Sequence, residues 1–188
     1  MEKEYRYFKT PVKRSDNGSR RVEGTAIVFD KPSVYMGFTE TIDRNAVDED
    51  LIKNSDVFAY LDHNDNRGVL ARSENGEGTL ELWIEDDGLH YAFEAPKTQL
   101  GDELLSYLDR GEIKSSSFAF TWADDGGDTW ERGADGEVYH RVHKIDHLYD
   151  VSPVFQPAYK QTDCSRRSMN EFLIVEKLDK MIDDIDKL

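Results

Sequence analysis

The segment Ile113–Trp122, read IKSSSFAFTW, constrains the fold more than any other stretch of the chain. Successive side chains of a strand point to opposite faces. Ser116, Phe118, Phe120 and Trp122 therefore share one face, and Ser115, Ser117, Ala119 and Thr121 share the other. The aromatic face demands a core. The opposite face is uniformly small, which leaves room for something to approach. A serine there is a nucleophile if a base reaches it, although serines in a strand are more often merely polar residues.

The neighbouring segments read as further strands. Val22–Phe29 follows the turn-prone Ser15-Asp16-Asn17-Gly18-Ser19, and Val57–Leu61 is a short apolar run. Leu80, Leu82 and Ile84 alternate with Glu81, Trp83 and Glu85. Asp86-Asp87-Gly88 supplies a turn, and Leu89, Tyr91 and Phe93 alternate on the return, so the pattern predicts a hairpin. Val138–Val154 carries two more strand-like stretches. Three segments read as helices. The first is Asp43–Ser55, with Asp43 as cap. The second is Thr98–Arg110, capped by Thr98, striped by Leu100, Leu104, Leu105 and Leu108, and closed by Gly111. The third is Asn170–Leu188, with Leu173, Leu178, Met181, Ile182, Ile185 and Leu188 along one face. The Gly/Asp-rich stretch Asp124–Gly136 reads as a mobile loop and Gln156–Ser168 as an irregular connection. The prediction is an α+β fold: a mainly antiparallel sheet or β-barrel flanked by a few helices. Residues 1–160 form the main domain, and 161–188 a connection with a C-terminal amphipathic helix.

Composition narrows the function. Among 188 residues, 39 are acidic and 24 basic, a net charge of -15. That disfavours direct nucleic-acid binding, which needs clustered Lys/Arg, and an anionic membrane surface. No apolar run approaches the roughly 20 residues of a membrane span. With 9 Phe, 9 Tyr and 3 Trp the chain can build a core. Its one cysteine, Cys164, leaves no internal disulfide and no Cys-rich zinc site.

Two histidine segments carry candidate chemistry. His63, in Leu61-Asp62-His63-Asn64-Asp65, stands where an apolar run meets a polar turn, a normal place for a general base, and carboxylates on either side can orient its ring. His140, His143 and His147, with Asp146 and Asp150 nearby, have the composition of a zinc site. In a strand, however, His140 does not share the face of His143 and His147, and no HExxH helix is present. Solvated loop or strand histidines are the plainer reading of both segments.

The order of these segments resembles the prohead (capsid maturation) proteases of tailed bacteriophages, which share the fold of the herpesvirus assemblin proteases. The similarity runs from Arg21 to Tyr159. It rests on Gly24-Thr25-Ala26-Ile27-Val28-Phe29, Phe38-Thr39-Glu40-Thr41-Ile42 with Asn45-Ala46-Val47, the histidine segment, Gly78-Thr79-Leu80 with Asp86-Asp87-Gly88-Leu89, Arg110-Gly111-Glu112-Ile113 leading into Ser116-Ser117-Phe118-Ala119-Phe120, and Leu148-Tyr149-Asp150-Val151-Ser152-Pro153-Val154 with Pro157-Ala158-Tyr159. Departures are Ala119 where glycine is common and Asp-His-Asn where Asn-His-Asp is usual.

The resemblance implies a serine endopeptidase with Ser117 as nucleophile, His63 as general base and Asp150 as the orienting acid, where the family more often has Glu. Asp62, Asp65 and His147 are rivals for the third place. The turn around Ser152–Val154 is a candidate source of oxyanion donors. No cofactor or metal is implied. The implied partner is the major capsid protein with its scaffolding segment, cut inside the prohead in the bacterial host cytoplasm, together with self-cleavage. The C-terminal stripe could pack on its own domain, pair with a second copy as a homo-oligomer, or join the protease to the scaffold. The rival functions are a catalytically inactive capsid-assembly or scaffold-binding module and a metal hydrolase built on the three clustered histidines.

Overall fold

Strands dominate the first 155 residues of the computed structural model, which describes residues 3–8, 10–16, 18–155 and 163–185. The strands are β1 (Glu4–Phe8), β2 (Lys13–Arg14), β3 (Arg21–Val28), β4 (Thr39–Ile42), β5 (Asp56–Ala59), β6 (Ala71–Glu74), β7 (Glu77–Gly78), β8 (Leu80–Glu85), β9 (Gly88–Glu94), β10 (Ser115–Trp122), β11 (Asp128–Arg132), β12 (Val138–Val142) and β13 (Ile145–Val154). The helices are α1 (Glu49–Asn54), α2 (Gln99–Asp109) and α3 (Asp163–Ile185). The strands form a six-stranded sheet in the order β1-β10-β13-β5-β6-β7, a four-stranded sheet β2-β3-β9-β8, and a three-stranded sheet β11-β12-β4. Only β4–β12 and β5–β13 pair in parallel among the described residues. The fold is thus α+β and rich in antiparallel pairing, as the alternation predicts. Among the described residues no barrel closes: β1 and β7 end the large sheet without pairing to each other.

The core lies under β10. Phe118 and Phe120 are fully buried with Tyr91, Phe93, Leu89, Leu104, Leu148 and Val151. Burying each such side chain stabilises the fold by about 1.5–3 kcal/mol. Tyr91 reaches across from β9 to place its hydroxyl 2.9 Å from Ser116 Oγ. Gly24 makes this possible, since a Cβ there would sit 2.6 Å from the Tyr91 ring. Ser116 is thereby fixed inward, and Ser117 must face the other way.

Several local readings are corrected. The segment after Asp43 is not one helix. It is a 3-10 turn, Arg44–Ala46, followed by α1, and the cap is Asp48, whose carboxylate accepts from Leu51 N at 2.7 Å. Asp43 instead binds Arg141 and His143. The Gly/Asp-rich stretch contains β11, which forms a hairpin with β12; cross-strand pairing overrides its turn-prone composition. The hairpin turn is only Asp86-Asp87, with Gly88 already paired in β9. Helix α3 begins at Asp163, earlier than its apolar stripe suggests. Pro157-Ala158-Tyr159 lies outside the described residues.

Candidate active site

The three strands at the middle of the large sheet lie in the order β10, β13, β5. On β10, Ser117 stands directly opposite Ser152 of β13, and Ala119 opposite Asp150. Directly paired residues project from the same face, so Ser117, Ser152 and Asp150 share one side of the sheet. The chain leaves β5 at Ala59 and reaches His63 four residues later. Adjacent strands are about 4.8 Å apart, so a base coming from β5 must arch over β13 to meet a serine on β10. The arch is built by Asp62 and His63, which both adopt the left-handed conformation, at φ +58° and +55°. Such backbone is disfavoured for residues with a Cβ and persists where surrounding bonds hold it. Here Asp62 N donates to Pro153 O at 2.9 Å, Phe155 N donates to Asp62 Oδ1 at 3.4 Å, and Asn64 N donates to Leu61 O at 3.2 Å.

The arch delivers the ring between the other two groups. His63 Nε2 lies 2.6 Å from Ser117 Oγ, and His63 Nδ1 lies 2.6 Å from Asp150 Oδ1. Ser117 Oγ is also 2.9 Å from the carbonyl oxygen of Arg6, which it can reach as donor. The side chain of His63 is 17% exposed and that of Asp150 7%, so the base is the more accessible of the two and the acid is shielded from water. Tyr5 packs edge-on against the His63 ring, with centroids 4.9 Å apart. Burial, then the charge of Asp150, raises the Tyr5 phenol above its ordinary range and keeps it neutral.

The small face of β10 is not open, as its composition suggested. Ser117, Ala119 and Thr121 are all buried, Ser117 at 5% exposure, with Tyr5 and Tyr7 of β1 paired beside Ala119 and Ser117. The other residues weighed for the third place lie elsewhere. Asp65 Oδ1 accepts from Asn66, Asp62 holds the arch, and the His147 ring lies tilted against Tyr149, centroids 4.5 Å apart. The stretch Ser152–Val154 is part of β13, not a turn, and its residues pair with β10.

The clustered histidines separate. His143 is bonded to Asp43 and Thr129. His140 is buried, with Nδ1 2.9 Å from Glu40 and Nε2 2.9 Å from Asp128. Both its ring nitrogens are thus engaged by carboxylates. Among the described residues, the group whose ligand atoms lie close enough for a metal is Glu85, Asp87 and His90 on the exposed β8–β9 hairpin, far in sequence from the three.

His140 belongs to a buried charge network that the sequence did not reveal. Arg6 Nε donates to Glu40 at 2.7 Å and Arg6 Nη1 to Glu4 at 2.7 Å, linking β1 to β4, β12 and β11. Burial pushes the Glu40 carboxyl up, but Arg6 and the His140 bond outweigh it and bring it down to about 2. Burial lowers His140, and its bonds to Asp128 and Glu40 reverse this and raise it above 6.5. The signs set a pH window. The Glu40 contribution is complete above its ordinary 4.5 and is lost as pH falls toward 2. The His140 contribution is complete below 6.5 and is lost as pH rises through its raised value. The network therefore stabilises most between these limits. Glu40→Gln leaves Arg6 and His140 buried with less counter-charge and should cost about 3–5 kcal/mol. Denaturant unfolding of wild type and variant at pH 5.5 measures it, and a loss below about 1 kcal/mol would refute the network's role.

Residues 8–174 match the family model described as caudovirus prohead serine protease. The chain belongs to that family. It is accordingly a serine protease of phage capsid maturation. The match extends beyond the Arg21–Tyr159 likeness, from the end of β1 into α3. The bacteriophage T4 capsid assembly protease, gp21, has a similar fold, with a TM-score of 0.50 and 12% identity over 84% of this chain and 100% of that one. No curated protein matches the chain. Among the described residues, no helix is long and apolar enough to cross a membrane.

Proposed function

We propose that this prohead protease works through Ser117, His63 and Asp150, cutting the scaffolding segment of the major capsid protein and its own chain inside the prohead. The observation that carries the reading is the continuous row of two 2.6 Å contacts, Ser117 to His63 and His63 to Asp150. With Nδ1–H donated to Asp150, Nε2 presents its lone pair to the serine hydroxyl. Nε2 takes that proton as Oγ attacks the peptide carbonyl carbon. The imidazolium then gives the proton to the leaving amine, and the acyl group remains on Oγ. Water enters by the same route, with Nε2 as base, and hydrolysis of the ester frees Ser117. When His63 is protonated, Nε2 becomes a donor to Oγ, and the hydroxyl turns to the Arg6 carbonyl, 2.9 Å away. In that state the serine is not activated.

An acidic chain suits a protein substrate better than the packaged DNA. Helix α3 offers a docking element for the scaffold or a second copy: Ile174, Val175, Leu178, Met181, Ile182 and Ile185 are exposed along it, while Arg132 of β11 binds its Glu176. These described residues are therefore not spent on the protein's own core, while Leu188 lies outside the described residues.

Co-expression with the cognate capsid protein, followed by mass spectrometry of both chains, tests the reading. Discrete capsid fragments that disappear in the Ser117→Ala background support it. Intact capsid protein, with no fluorophosphonate adduct on Ser117 in assembled heads, would favour an inactive assembly module. Asp150→Asn should lower kcat by about 10⁴ with less effect on substrate binding, whereas His147→Gln should cleave at nearly the wild-type rate. The reverse pattern would move the third role to His147.

A further inference from the structure

Ser152 has no assigned part in catalysis, yet its hydroxyl joins the acid to the arch. It is fully buried on β13, two residues from Asp150 and on the same face. Ser152 Oγ donates to Asp150 Oδ1 at 2.7 Å, the same oxygen that faces His63 Nδ1. Ser152 Oγ in turn accepts from Tyr60 N at 3.3 Å, and Tyr60 is three residues before His63 on the way into the arch. One hydroxyl therefore ties the carboxylate rotamer to the backbone that carries the base. Apolar neighbours could bury a residue here equally well, but they could not hold Oδ1 or take the Tyr60 N–H.

We infer that Ser152 is a positioning residue of the catalytic row, holding Asp150 Oδ1 on the His63 ring and dispersing part of its negative charge. This rests on the Ser117–His63–Asp150 reading. Two consequences separate it from a packing role. Without the hydroxyl, Asp150 can rotate away from the ring, so the rate on the pH plateau falls. In the molecules whose carboxylate stays on the ring, which are the ones that react, the charge of Asp150 is no longer shared with a hydroxyl and favours the protonated ring more strongly. The acid limb of the rate profile therefore moves to higher pH.

The experiment follows the rate of fluorophosphonate labelling at Ser117 against pH, by mass spectrometry of the full-length chain, for wild type, Ser152→Ala, Ser152→Thr and Asp150→Asn. Thermal unfolding of each variant shows which are folded. Ser152→Ala is expected to label roughly tenfold more slowly on the plateau with its acid limb displaced upward. Ser152→Thr, which keeps a hydroxyl, should recover most of the rate and the original limb. A folded Ser152→Ala with wild-type rate and limb, beside a crippled Asp150→Asn, overturns this inference alone. An Asp150→Asn that labels like wild type overturns the catalytic row and this inference with it. A Ser152→Thr as slow as Ser152→Ala, with both folded, assigns the effect to packing and also refutes the role.

Discussion

Ser117→Ala is expected to abolish capsid-protein cleavage, a loss of about 10⁶ in kcat, while the protein stays folded. The hydroxyl makes two contacts, with His63 Nε2 and the Arg6 carbonyl. Removing it costs stability only on the scale of a hydrogen bond, about 1 kcal/mol. Ser116→Ala should do the opposite. Ser116 Oγ is fully buried against the hydroxyl of Tyr91, which would be left unsatisfied, so this variant loses about 1–3 kcal/mol yet cleaves. The two adjacent serines thus separate chemistry from folding. Cleavage rates and denaturation midpoints of both variants, measured together, check it. Normal cleavage by Ser117→Ala with none by Ser116→Ala would mean that the strand's register is the other one.

That register was legible because strand parity is local. Phe118 and Phe120 need the core, and their demand decides which serine faces out without any knowledge of the partners. Thr98 and Gly111 were legible for the same reason: Thr98 Oγ1 caps Gly101 N, and Gly111 takes a φ of +67°. The charge network was not. Arg6 and Glu40 are 34 residues apart, and Glu40 and His140 are 100 apart, so only the folded sheets bring them together. His140 consequently reads in the sequence as one of three clustered histidines, and in the structure as a buried ring held between Glu40 and Asp128. The strand β11 was missed for a different reason: its hairpin with β12 is local, but the glycines and aspartates around it, Asp124–Gly127 and Gly133–Gly136, masked the Thr129-Trp130 strand signal. Ser152 lay between the two cases. Its parity with Asp150 was visible, and a hydroxyl two residues from a buried carboxylate is a signal that sequence reading can use. What parity did not supply was the Tyr60 N–H on its other side.

His63→Ala should match Ser117→Ala, lowering kcat by about 10⁶, because the nucleophile and its base act as one unit. His143→Gln with His147→Gln should leave cleavage almost unchanged, since neither ring touches the row. His140 is excluded from that control because its loss would unfold the network. A second substitution at the base exposes how the arch is held. His63 sits at φ +55°, where a side chain costs roughly 1–2 kcal/mol and glycine nothing. His63→Gly and His63→Ala both lose the imidazole and its contact with Tyr5. Their difference therefore isolates the backbone. The glycine variant is expected to be more stable than the alanine variant by about 1 kcal/mol, even though glycine ordinarily loses to alanine through its unfolded-state entropy. Both remain inactive. Chemical denaturation of the pair reads the difference directly. An alanine variant as stable as the glycine variant would show that residue 63 does not hold the left-handed conformation, and the path from β5 across β13 would need another geometry. The expected sign makes His63 a residue kept at a conformational cost, because only from that strained turn does the ring meet both the serine and the acid.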